Sequence, residues 1–137
     1  MGKKYFTLQE ASSLLPMVRV QLDELQQLKR QFEAKYMELR DLKLSHGNRG
    51  QSQENDPYFA LECELEFIQM QFQTGVANLE RKGIELKDVD HGLVDFPALI
   101  RGEEVLLCWK QGEPDIAHYH GLYDGFAGRK PITGEEW

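Results

Sequence analysis

Two histidines two residues apart, His118 and His120, close the stretch LLCWKQGEPDIAHYHG, which also holds Cys108, Trp109, Glu113 and Asp115. On a strand such a pair faces one side, a spacing that metal ligands use. Asp95, Glu113, Asp124 and His91 are the groups that would complete a site if the hairpins converge. One imidazole among several carboxylates suits magnesium or manganese better than zinc. A His-x-His pair also arises by chance, so the spacing alone assigns no metal and no other cofactor. The expectation is that His120 bonds a carboxylate, with Asp95 or Glu113 the first choices, and that His118 stays peripheral.

Nucleophilic chemistry at Cys108 would need a partly exposed thiol beside a base. Cys108 lies in the apolar run VLLCW, where burial is expected, so no catalytic residue is assigned. The chain also lacks a GxSxG elbow, a P-loop and a GxGxxG fingerprint. A third arrangement is an ion-pair pocket of Asp95, Glu113, His120 and Arg129 beneath a glycine-rich tail, with Trp109 as a wall. Such a network either binds a small polar ligand or staples the tail to the sheet.

The elements that position these groups follow from periodicity. TLQE at 7–10 has the form of a capping box, so a helix starts near Leu8. Pro16 predicts a short helix over 8–15 and a kink or restart, because proline lacks an N–H and crowds the preceding turn. From there Val18, Leu25, Phe32 and Leu39 recur every seven residues, with Leu22 and Tyr36 at partner positions, to about Leu44. Lys29 falls in this stripe and is expected to extend its ammonium into water. The segment 45–55 has no apolar residue and reads as a flexible connection.

Asp56-Pro57 then opens a second helix to about Lys82, stopped by Gly83. Tyr58, Leu61, Leu65, Ile68, Phe72, Val76 and Leu79 form its seam. Phe59, Cys63, Phe67 and Met70 fall nearly opposite, a face that must meet the rest of the chain or another molecule. After Gly83 the period becomes two. Strands are expected over 84–88, over 93–96 ending at Pro97, over 105–109, and over 115–120. The remainder reads as a wrapping loop pinned by Tyr123 and Phe126.

A chain of 137 residues makes one domain, here a helical hairpin over 8–82 followed by a small sheet and tail over 83–137. Its net charge of −7 argues against general nucleic-acid binding, which needs surplus Lys and Arg. No apolar run approaches the roughly 20 residues that span a bilayer. Two cysteines without an export signal read as reduced thiols in the cytoplasm.

GLVDFPAL, GEEVLLCWKQGEP and YHGLYDGFAGRKPI, with the opening TLQEASSLLPMV, resemble a small, widespread bacterial family filed as domain of unknown function 2203. The resemblance covers nearly the whole chain. It implies signature positions at Asp95, Phe96, Pro97, Cys108, Trp109, Gly112, Glu113, His120, Gly125 and Arg129, with His118 at a position where other residues are usual. It brings no activity. The resulting reading is an α+β fold, a long antiparallel helical hairpin carrying a small antiparallel meander. Functionally it is a cytoplasmic, non-enzymatic interaction module that dimerises through helix 57–82, with a pocket for a small polar ligand at Asp95, Trp109, Glu113, His120 and Arg129. The alternative is a metal-assisted hydrolase using His120 and the nearby carboxylates.

Overall fold

Thr7 and Glu10 cap each other reciprocally: the Thr7 amide donates to Glu10 Oε1 at 2.9 Å and the Glu10 amide to Thr7 Oγ1 at 3.0 Å. From this box runs helix α1, Leu8–His46. The computed structural model describes residues 3–46 and 57–137. The connection expected over 45–55 therefore lies outside the described residues, except for its first two positions, which still belong to α1. Asp56, the expected cap of the second helix, lies outside them too.

Pro16 does not divide α1; the helix passes through it. The ring sits on an exposed face, while Ala11, Leu15, Val18, Leu22 and Leu25 on either side are buried on one continuous stripe. A proline within a helix costs about 3 kcal/mol, and burial of that stripe outweighs it. Tyr36 also departs from expectation. It is exposed and stacks on Phe32. Lys29 ends on Asp90 at 2.6 Å and so bridges α1 to the turn after the first strand.

Helix α2, Pro57–Arg81, buries Tyr58, Leu61, Leu65, Ile68 and Leu79. A Cβ on Gly75 would stand 2.7 Å from Leu25 Cδ2, so this glycine lets the two helices approach. Five strands follow in a plain meander, each antiparallel to the next: β1 Glu85–Asp88, β2 Leu93–Ile100, β3 Glu103–Lys110, β4 His118–Gly121 and β5 Lys130–Pro131. The sequence pattern predicted three or four strands. The two-residue β5 is too short to show a period.

Pro97 was expected to end β2, yet the strand continues to Ile100. The reason is positional. Residue 97 accepts from the Phe6 amide at 2.7 Å, on the side where β1 stops pairing at Asp95. N–H and C=O of a strand residue point the same way, so the missing donor faces an edge where no ladder requires it.

Two apolar clusters result. The larger joins Phe6, Leu15, Val18, Leu22 and Leu25 to Val94, Phe96, Leu107, Trp109 and Ile116. A smaller one at the far end of the hairpin joins Leu39 to Tyr58, Leu61 and Leu65. A recess of about 340 Å³, lined by Leu28, Lys29, Phe32, Ile68, Gln69, Phe72 and Val89, lies between the helices and the turn after β1. Leu22, wholly buried in the larger cluster, should cost about 2–5 kcal/mol when cut to alanine. The exposed Val20→Ala, two residues earlier, should stay within about 0.5 kcal/mol. Urea titration of the two variants measures both.

Candidate functional site

Alternation sorts the sheet into two faces. Val94 pairs with Trp109 and Phe96 with Leu107, and all four belong to the large core against α1. Their neighbours in sequence must point the other way. Asp95 pairs with Cys108, Cys108 with His118, and Leu106 with His120, placing an acid, a thiol and two imidazoles together on the outer face.

Asp95 and His120 are 2% and 3% exposed. His120 Nε2 stands 3.1 Å from Asp95 Oδ2, and His120 Nδ1 stands 2.7 Å from the Gly121 carbonyl oxygen. Only a protonated Nδ1 satisfies that second contact, so the ring's tautomer follows from geometry. One donor atom each from Asp95, Cys108 and His120 lies within 4.8 Å of the others, and all three residues are buried. Burial pushes the Asp95 carboxyl upward, opposed by the charge of His120. Burial, aided by the Asp95 charge, pushes the Cys108 thiol up to about 11, so the side chain is a neutral thiol at pH 7.

A second pair closes the flank. Arg129 grips Glu113 with both terminal nitrogens, at 3.1 and 2.6 Å. The same guanidinium lies 4.0 Å from Cys108 Sγ and 4.3 Å from the centre of the Phe126 ring. Glu113 Oε1 also accepts from the Lys110 amide at 2.8 Å, which closes the β3–β4 turn. For Glu113, burial works upward, but the Arg129 and Lys110 bonds outweigh it and hold the carboxyl below its usual range.

Of the five residues expected to share a pocket, four form two pairs, Asp95 with His120 and Glu113 with Arg129, with Cys108 between them. Trp109 does not join them. It sits in the core beneath the sheet and donates its indole N–H to the Glu113 carbonyl at 3.0 Å. Between Asp95 and Glu113, His120 meets Asp95. His118 Nδ1 is 3.8 Å from Glu113 Oε2, too far for a hydrogen bond. Asp124 accepts from the Gly121 amide at 3.1 Å, and His91 pairs with Asp88 at 2.9 Å; neither is part of the Asp95–Cys108–His120 group. Phe126 carries Arg129, whereas Tyr123 is 97% exposed and pins nothing.

Sequence reasoning missed three contributors. Cys108 is buried as expected, and strand register adds it to the group by setting its thiol opposite Asp95. Arg19 of α1 reaches the Pro114 carbonyl at 2.7 Å and lies over the Trp109 ring, a contact between residues far apart in sequence. Glu136 collects the Thr133 and Gly134 amides at 2.9 and 2.8 Å and folds the C-terminal end on itself. Those backbone bonds hold its carboxyl down at about 2.

Residues 4–132 match the model of the family described as an uncharacterized conserved protein, DUF2203, and the chain belongs to that family. No curated protein and no solved structure gives a significant match.

Two outcomes follow from this geometry. Cys63 is exposed in the protomer and Cys108 buried, neither in a disulfide, so on highly dilute protein a thiol reagent should label Cys63 quickly and Cys108 only on unfolding. A count of two fast thiols on native protein would contradict the burial. The second concerns acid. Glu113 and Glu136 have lowered folded values, so their stabilisation is full above the unfolded glutamate pKa of about 4.3. It is lost as pH falls through the folded values, towards about 2 for Glu136. The protection factor of the Ile132 amide, which donates to the Ala117 carbonyl at 2.9 Å, should fall over that window.

Proposed function

We propose that this member of the DUF2203 family is a non-enzymatic, cytoplasmic interaction module that forms a homodimer through the outer face of α2. The observation that carries it is a stripe of Phe59, Cys63, Phe67 and Met70, with the Phe and Met side chains 49%, 62% and 63% exposed. Neither α1 nor the sheet covers it. The seam residues on the opposite side of α2 already pack the hairpin, so among the described residues these side chains have no covering partner.

Removing such surface from water yields roughly 25 cal/mol per Å². The charge pattern favours a second copy in antiparallel orientation. Glu62, Glu64 and Glu66 crowd the first half of α2, and Gln69, Gln71 and Gln73 follow in the second. A twofold axis near Phe67 sets the acids of one helix against the glutamines of the other; a parallel pairing would set acid against acid. The unbridged thiols of Cys63 and Cys108 support the compartment, and among the described residues no helix is long and apolar enough to cross a membrane.

A small polar ligand at the outer face of the sheet would have to displace Arg129 from Glu113. The pair therefore reads as a staple that ties the tail to the β3–β4 turn. Sedimentation velocity at tens of micromolar should give a dimer for the native protein and a monomer for Phe67→Glu, with the far-ultraviolet circular dichroism unchanged because Phe67 is exposed in the protomer. A native protein that sediments as a monomer at that concentration overturns the proposal.

A further inference from the structure

We infer that Asp95, Cys108 and His120 form a binding site for one divalent transition-metal ion of the zinc class, held between strands β2, β3 and β4. The inference is independent of self-association through α2.

The donor set comes first. A carboxylate oxygen, a thiol sulfur and an imidazole nitrogen, all within 4.8 Å and all buried, are brought together by three adjacent strands rather than by a surface loop. A sulfur donor discriminates against magnesium and calcium, which take oxygen ligands, and favours a borderline-soft ion. Tetrahedral ligands bonded at about 2.0–2.3 Å stand roughly 3.3–3.8 Å apart. From at most 4.8 Å the trio needs to contract by no more than about 1–1.5 Å to reach that spacing, within reach of side-chain torsions.

The second observation is the orientation of His120. Its Nδ1–H is committed to the Gly121 carbonyl at 2.7 Å, so Nε2 is the ring atom aimed at Asp95 Oδ2, at 3.1 Å. Two lone pairs at that separation repel unless an electrophile lies between them. That electrophile is either one shared proton or a cation. Donation of the other ring N–H to a backbone carbonyl is also how metal-bound histidines fix their tautomer.

Charge gives the third. A carboxylate and a thiolate neutralise a dication, and the nearest other cation, Arg129, is already neutralised by Glu113 through two hydrogen bonds. The loaded cluster adds no net charge to the interior, the condition under which buried ions are tolerated. The exchange balances: the ion enters, and the Cys108 thiol proton and the proton held between Asp95 and His120 leave to solvent. Three protein ligands leave the fourth tetrahedral position to water or a small anion. His118 is outside this set, so the site differs from a His-x-His metal pair.

Cobalt(II) tests it, because a thiolate-to-cobalt charge-transfer band in the near ultraviolet appears only when sulfur is a ligand. Cobalt is added to native full-length protein and, separately, during refolding from urea. The expected result is one cobalt per chain with that band, displaced by zinc. The band should persist in Cys63→Ser and His118→Ala, vanish in Cys108→Ser, and need at least tenfold more cobalt in Asp95→Asn and His120→Gln. If Cys108→Ser fails to fold, Cys63→Ser alone decides, since Cys108 is then the sole thiol of a chain with two cysteines. Absence of the band in native and refolded protein, or its loss in Cys63→Ser, overturns the inference.

Discussion

The packing of one sheet face on the first half of α1 is the constraint from which the rest follows. Val94, Phe96, Leu107 and Trp109 must all face Val18, Leu22 and Leu25 to close the larger core. With a side-chain period of two, that choice leaves no freedom for the residues between them. Asp95, Cys108 and His120 are therefore directed outward as a consequence of the core, and a slip of one residue would bury the acid against leucines. The polar group is positioned by apolar packing on the other side of the same strands.

Glu113 joins the two sides. Its carboxylate takes the Lys110 amide and the Arg129 guanidinium, while its carbonyl takes the Trp109 indole N–H. Arg19 secures the next carbonyl, that of Pro114, from α1. One turn residue thus links the helix, the core tryptophan and the tail. Because Glu113 and Arg129 satisfy each other at two points, the second does not load the buried Asp95 and His120 with an unpaired charge.

Much of this arrangement was legible in the amino-acid order, and the exceptions have physical causes. The capping box, most of both helix seams and the meander follow from local pattern, because each is set by neighbours within a few residues. The two proline readings failed for one shared reason: a breaker acts through a backbone partner, and sequence does not show whether that partner is required. Pro16 falls on an exposed helix face, and Pro97 faces an edge that β1 has left. Trp109, expected as a pocket wall, belongs to the core because strand parity sends it to the face opposite Cys108. The Asp95–His120 contact is one of the two expected for this histidine, and register allows it once β2, β3 and β4 are aligned. Arg19 over Trp109 was not, for nothing local marks a contact across the whole domain.

The two apolar clusters also divide the molecule thermodynamically. Helix α1, with 39 residues, spans about 58 Å, and its contributions to the larger core end at Leu25. Beyond that, the described residues of the hairpin tip pack through Leu39, Tyr58, Leu61 and Leu65, at 6–8% exposure. Such a tip is a separate foldon. Its expected opening leaves the sheet and the Asp95–His120 contact closed. Amide protection should accordingly grade along a single unbroken helix, lowest near His46 and highest near Leu22, so that α1 is one element by geometry and two by free energy.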